Sequence, residues 1–378
     1  MKKVIAFLLA MFCLFSLCAC GGGGKEDTYE ASREEIDQLL KAYEGRALFF
    51  GESHEHTNNG DGRNSLTEWA EGMEQLGMDF ATILDHNRSS HMFTEEWDDA
   101  CFIGGSEISS TILDIPIAEK EMHYSAVFVE PEAINSIFKL NPLYKFDPET
   151  NTAVPVNYTI AELKALIQRV KDAGGLFVQN HPMGNEGYLH SENPMDNWFA
   201  DWTGIDVMCG YTGHSVGNVE TEESYKLWTA ILANGGKVWA TAITDGHGLP
   251  TTNALTAVYA REKTAESIFE NLRVGDFNPG YCGIRMTIGD VKQGSQGSFD
   301  GQKVIFSIGE FHSSILEKYN EFQVVLFDDD GEVFRTKFDH TKENFFSYEC
   351  ADTANFYRVE VQNANGDIVA LGNPIWRG

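Results

Sequence analysis

Nine side chains able to bind a cation stand at or beside the ends of short apolar runs: His54, His56, Asp61, His86, Glu107, His123, His181, Asp245 and His247. In GESHEHTNNGDG, His54 and His56 are two residues apart, and residues i and i+2 of a strand face the same side. Asp245 and His247 repeat that spacing around Gly246. One such pair is common in polar loops. A set drawn only from imidazoles and carboxylates, with no thiolate, suits zinc, manganese or iron. Nine groups are enough for two or three divalent ions if one carboxylate bridges.

The elements that must position them follow from the periodicity. ALFFGESHEH, FATILDHN, CFIGGSE, YSAVFVE, GLFVQNHP, GIDVMCG and KVWATAITDGH read as buried strands. SLTEWAEGMEQLG, TIAELKALIQRVKDAGG and ESYKLWTAILANGG read as amphipathic helices, each ending at a glycine suited to cap it. Such alternation predicts a parallel sheet. Ligands spread over most of the seven runs favour a closed barrel, whose C-terminal strand ends share one rim. Beyond about residue 283 the pattern becomes strands and tight turns, with DDDGE and NANGD as hairpin signals. This predicts a C-terminal antiparallel β-sandwich over 284–378.

HEHTNNGD, LDHN, GGSEIS, MHYSAV, QNHPMG and TDGHG resemble, in order, the motifs of the polymerase and histidinol phosphatase (PHP) family. The match spans about Arg46 to His247. The leader, SIFENLRVGDF and the terminal LGNPIW resemble a secreted branch that includes carbamate-hydrolysing enzymes. The resemblance implies a distorted (β/α)7 barrel over 46–283 with metal ions on its C-terminal rim. By the family pattern His54, His56, Glu107 and Asp245 hold a first ion. Glu107 bridges to a second ion held by His123 and His181, and Asp61, His86 and His247 hold a third. The catalytic roles fall to Glu107, Asp245 and His247, around a hydroxide bridging two ions. His123 precedes its apolar run, so only the resemblance brings it to the rim. Asp85 is expected to support the neighbouring ligands.

Other residues have plainer readings. Arg88, after LDHN, is a candidate for binding a substrate anion, as is His214, although a solvent-facing loop suits both. His91 and His190 read as surface residues, Cys209 as core, Ser106 as a strand-end polar group, and Trp198 and Trp202 as packing on the barrel.

MKKVIAFLLAMFCLFSLCAC reads as a signal peptide (1–20) ending in L-C-A-C, which resembles a bacterial lipobox with Cys20 as the lipidated residue. GGGGKEDTYEAS then reads as a tether within an N-terminal segment, 21–45. The expectation is an extracytoplasmic protein anchored to the bacterial cell membrane through lipid. The chain carries a net −29; losing the leader removes two lysines and no acid, so 26 basic against 57 acidic residues leave −31. Such a surface repels nucleic acid and argues against a DNA-processing role. Cys101, Cys209, Cys282 and Cys350 are too widely spaced for a disulfide framework, though a single bridge is compatible with export. The expected function is a metal-dependent hydrolase of small molecules, a phosphoesterase first and a carbamate, ester or amide hydrolase second. A solute-binding lipoprotein is the alternative of another class.

Overall fold

The computed structural model describes residues 29–114, 121–128, 145–147, 152–154, 156–183, 198 and 200–378. The leader with Cys20, most of the tether, and His190 lie outside the described residues. Ala31–Gly378 form one compact unit. Among the described residues no helix is long and apolar enough to cross a membrane.

All seven apolar runs are strands: β1 (Ala47–Glu55), β2 (Phe80–Ile83), β3 (Phe102–Ile112), β4 (Glu121–Phe128), β5 (Leu176–Gln179), β6 (Gly204–Cys209) and β7 (Trp239–Ile243). They are hydrogen-bonded in that order. The ring is drawn together where Glu55 bridges Gly246 and the His56 amide donates to the Gly246 carbonyl at 3.0 Å. The first half of β1 instead pairs with β8 (Thr256–Ala260), which pairs in turn with β9 (Phe277–Pro279). One strand thus serves two neighbours at different heights, and this distorts the barrel. Phe80, Ile103, Val178, Val258 and Phe277 are among the buried side chains of its core.

The pairing is not wholly parallel, as the alternation had suggested. β4 runs antiparallel to both β3 and β5, and β8 and β9 are antiparallel as well. The short segment between β3 and β4 explains the reversal, because a parallel return needs a crossover of a dozen or more residues. Helices follow β1, β4 and β6: α2 (Leu66–Leu76), α3 (Ile160–Asp172) and α4 (Val219–Ala233), and α5 (Ala265–Leu272) follows β8. Ser65 with Glu68, and Thr159 with Glu162, close capping boxes at the starts of α2 and α3. Gly77, at φ 71°, ends α2 in the left-handed conformation that glycine adopts without penalty.

In the N-terminal segment α1 (Arg33–Ala42) follows a capping box of Ser32 and Glu35. Its Leu39, with Tyr43, packs with Tyr259 and Ile305. From β10 (Cys282–Ile288) the chain builds two facing sheets, in which Phe306 of one stacks on Phe334 of the other with centroids 5.9 Å apart. DDDGE and NANGD form turns joining antiparallel strands, as read. The four described cysteines are free; Cys209 and Cys282 are buried, Cys101 and Cys350 half-buried.

Candidate metal centre

Glu107 is the hub. It is fully buried within β3, and each carboxylate oxygen faces a different set of imidazoles. Oε2 lies 3.1 Å from His54 Nε2, 3.1 Å from His56 Nε2 and 3.3 Å from His86 Nδ1. Oε1 lies 2.9 Å from His123 Nδ1 and 3.2 Å from His181 Nε2, and accepts from Asn180 Nδ2 at 2.9 Å. The antiparallel register delivers His123: Ser125 stands opposite Glu107 and His123 opposite Ser109, so the start of β4 reaches the rim where its parallel neighbours end. Glu107 does not end its strand, as the sequence had suggested. β3 continues to Ile112, extended by its pairing with β4, and Ser106 is likewise mid-strand and buried, donating to the Asp85 carbonyl at 3.2 Å.

The opening pair shares one face: His54 Nε2 and His56 Nε2 are 3.2 Å apart. Asp245 Oδ1 lies 3.0 Å from His56 Nε2 and 3.7 Å from His54 Nε2. His247 Nε2 lies 3.2 Å from Asp61 Oδ2, and His86 Nε2 lies 3.8 Å from the same oxygen. All nine residues therefore meet in one cluster. Their donor atoms form three groups with ion-holding spacing: His54, His56, Glu107 and Asp245; His86, Glu107 and His123; and His56, Asp61, His86 and His247. His56 would need both ring nitrogens to serve two groups, which a neutral imidazole cannot do. Its Nε2 faces two carboxylates at about hydrogen-bond distance while Nδ1 stands 3.6 Å from Asp61, so it belongs to the first.

Three strand ends turn with a non-glycine residue in the left-handed region: Asn87 at φ 51°, His181 at φ 24° and Asp245 at φ 52°. Such conformations persist only where surroundings enforce them, and they collect at functional sites. The Asn87 amide is held by the Glu107 carbonyl at 2.7 Å, and the His181 amide by Asp206 Oδ2 at 2.8 Å. Gly246 admits the Glu55 carboxylate against its backbone, where a Cβ would overlap it.

The electrostatics fit cations. Burial alone would raise Glu107, but the imidazoles around it hold its carboxyl well below the usual range. Burial alone would lower His56 and His181; hydrogen bonds to Asp245 and Glu107 carry His56 well above its ordinary value, and Glu107 carries His181 up to about 9. The carboxylates around these rings thus favour positive charge at both positions. Converging unprotonated imidazole nitrogens and ionised carboxylates are the donor set a divalent ion requires.

Supporting residues fix the rings. Ser109 Oγ lies 3.0 Å from His86 Nδ1, and His247 Nδ1 faces the Asp245 carbonyl at 3.0 Å, leaving Nε2 for Asp61. Asp85 turns away from the cluster and accepts from the Thr57 amide at 2.6 Å and its hydroxyl at 2.8 Å, anchoring the loop before Asp61. His91, expected at the surface, is buried instead, 3.0 Å from Asp85 and against Trp97. A carboxylate sealed under that loop needs a buried partner. Arg88 donates from Nη1 to the Asn59 carbonyl at 2.6 Å and from Nε to the His86 carbonyl at 3.3 Å, tying two ligand loops together. His214 is half-buried, stacked on Tyr281 at 4.9 Å, and burial lowers it to about 4. Trp202 is buried, edge-on to Trp198.

Sequence reasoning passed over Glu52, Glu55, Asn180 and Asp206. Burial raises Glu52 to about 7, and burial with the charge of Glu52 raises Glu55 well above the usual carboxylate range. Asp206 is buried in β6, where burial raises it to about 6. A lone acid inside the apolar run GIDVMC was the available signal.

No family model and no curated relative matches the chain. Solved structures similar to it include a two-domain protein from Bacteroides vulgatus containing a predicted PHP-like metal-dependent phosphoesterase (15% identity, TM-score 0.42, covering 88% of this chain and 96% of that one). A lesion-specific endonuclease from Pyrococcus furiosus is similar at 13% identity and TM-score 0.45, covering 62% of this chain and 58% of that one. An amidohydrolase from Chromobacterium violaceum is similar at 15% identity and TM-score 0.36, covering 54% and 89%. Likenesses this distant assign no activity, and the functional argument rests on the nine converging side chains. Their donor spacing groups His86 with Glu107 and His123, where the resemblance implies His181, whose Nε2 lies 3.2 Å from the same Glu107 oxygen as His123.

Proposed function

We propose that the protein is a metal-dependent hydrolase of the PHP type, acting as a phosphoesterase on small substrates outside the cytoplasm. One observation carries the reading: the buried Glu107 carboxylate, with histidines from β1 and the end of β2 on one oxygen and histidines of β4 and the end of β5 on the other. His54, His56, Glu107 and Asp245 would hold one ion, Glu107 with His123 and His181 a second, and Asp61, His86 and His247 a third. Zinc, manganese and iron all suit these donors. Such ions lower the pKa of bound water and polarise the substrate oxygen. The chain's own part is orientation: Asn180 holds Glu107, and Ser125 Oγ holds Asn180 Oδ1 at 2.8 Å. The Asp245 carbonyl sets the His247 ring.

Charge favours phosphoesters. Three carboxylates and six neutral imidazoles bring a net −3, so two divalent ions leave +1 and three leave +3 in a chain that is otherwise strongly acidic. An anionic group is drawn to that spot and repelled elsewhere. The test is hydrolysis of phosphate mono- and diesters beside aryl esters, carbamates and amides, with and without chelator. Chelator-sensitive turnover led by phosphate esters supports the reading. Turnover led by carbamates, esters or amides moves the same cluster to acyl chemistry, and tight ligand capture without turnover makes the protein a binding lipoprotein. Anchoring by lipid at Cys20 is part of the proposal: Cys20→Ala should release the protein from membranes, and unchanged membrane partitioning would refute the anchor.

A further inference from the structure

Beneath the cluster, inside the barrel, lies a cavity of about 30 Å³ lined by Ser53, His54, Ser125, Asp206 and Thr241 on its polar side and by Val178 among its apolar walls. A water needs roughly 10–15 Å³ and two to four polar partners. His54 Nδ1 is buried without a hydrogen-bond partner, while Nε2 is the nitrogen that faces Glu107 and Asp245. Asp206 is buried, and among the described residues no lysine or arginine pairs with it; Oδ1 accepts from Thr241 Oγ1 at 2.6 Å and Oδ2 from the His181 amide at 2.8 Å. A carboxylate offers about four acceptor positions, so both oxygens can take another bond. A histidine that gives one nitrogen to a metal usually donates its other N–H to a carboxylate, carbonyl or water, which fixes its tautomer.

We propose that Asp206 is a positioning residue for His54, acting through one water bound in this cavity. His54 Nδ1–H donates to the water, the water donates to Asp206, and Nε2 is left unprotonated toward Glu107 and Asp245. One carboxylate then serves two ligands from below, since it also fixes the His181 backbone. The inference rests on the proposed metal centre for its purpose, but not for its geometry.

The test uses the full chain in ion-free and zinc-loaded forms. A high-resolution crystal structure should show one water within hydrogen-bond distance of both His54 Nδ1 and Asp206. The ¹⁵N shifts of the His54 ring should report the Nδ1–H tautomer. Asp206→Asn should weaken zinc binding by roughly 10- to 100-fold and abolish that tautomer preference. Asp206→Asn also touches His181, so Val178→Ile, which fills the cavity and leaves the carboxylate in place, is the second variant. It should lose the water, the tautomer signature and zinc affinity together while unfolding as cooperatively as wild type. A dry cavity, or a His54 tautomer and zinc affinity unchanged in Val178→Ile, overturns the relay. Failure of wild type to bind zinc, with the water in place, would instead count against the metal centre.

Discussion

Glu107 Oε1 lies 2.9 Å from His123 Nδ1, although the two residues are not directly opposite in the register that pairs their strands. They are diagonal neighbours on one face of an antiparallel pair, a separation that a glutamate and a histidine can span. The carboxylate can therefore touch β4 through one oxygen and β1 through the other, and removing its charge should loosen both sides at once. Glu107→Gln keeps the shape and leaves five imidazoles facing a neutral amide. Chelator competition should show ion affinity falling by more than about 100-fold, the upper range seen for outer-shell partners. Circular dichroism should remain that of the folded chain. Wild-type ion affinity in the variant would remove Glu107 from the bridging role.

Protons and ions should compete for the same rings. In the ion-free chain His181 is carried from 6.5 to about 9, chiefly by Glu107 acting against burial. Because the folded value is the higher one, its stabilisation is fully present below about pH 6.5 and is lost as pH rises through about 9. Ions require the neutral ring, so their binding strengthens over that same window. Unfolding midpoints measured from pH 6 to 9 should therefore fall for the ion-free protein relative to the loaded one. A constant gap between the two curves would mean that the imidazoles are not where ions bind.

Asn373 should matter for stability and not for metal. It is buried where the C-terminal strands meet the barrel, accepting from the Ala240 amide of β7 at 2.8 Å and donating to the Gly275 and Phe277 carbonyls at 3.4 and 3.3 Å. Asn373→Ala leaves those groups without partners, a loss of about 1–3 kcal/mol. Denaturant titration should show the lower midpoint, with ion content unchanged. Loss of ions from the folded variant would show that the sandwich shapes the site directly.

The seven strands were legible because β1 to β7 carry short apolar runs with polar ends, and the hairpins because Asp-Gly and Asn-Gly dictate turns. Strand direction was not legible. The apolar run of β4 reads alike in either sense, and only the segment joining it to β3 reverses it, so His123 stands before its run rather than after it. His91 was misread because the loop after β2 folds it back onto Asp85, only six residues earlier, and a polar stretch such as RSSH gives no sign of that turn. Asp206, Glu52 and Glu55 were missed for a different reason. Their partners, Thr241, Thr251 and Thr244, are far away in sequence, and local spacing says nothing of such contacts.

Counting ions tests the central claim most directly. Protein purified without chelator, then loaded and analysed for metals, should hold more than one ion per chain: two tightly, and a third weakly, because Asp61, His86 and His247 lack the bridging carboxylate. His54→Ala should abolish hydrolysis, while His247→Ala should lose one ion and recover part of its activity in added metal. One ion or none in carefully loaded protein, together with normal turnover in His54→Ala, would contradict the account.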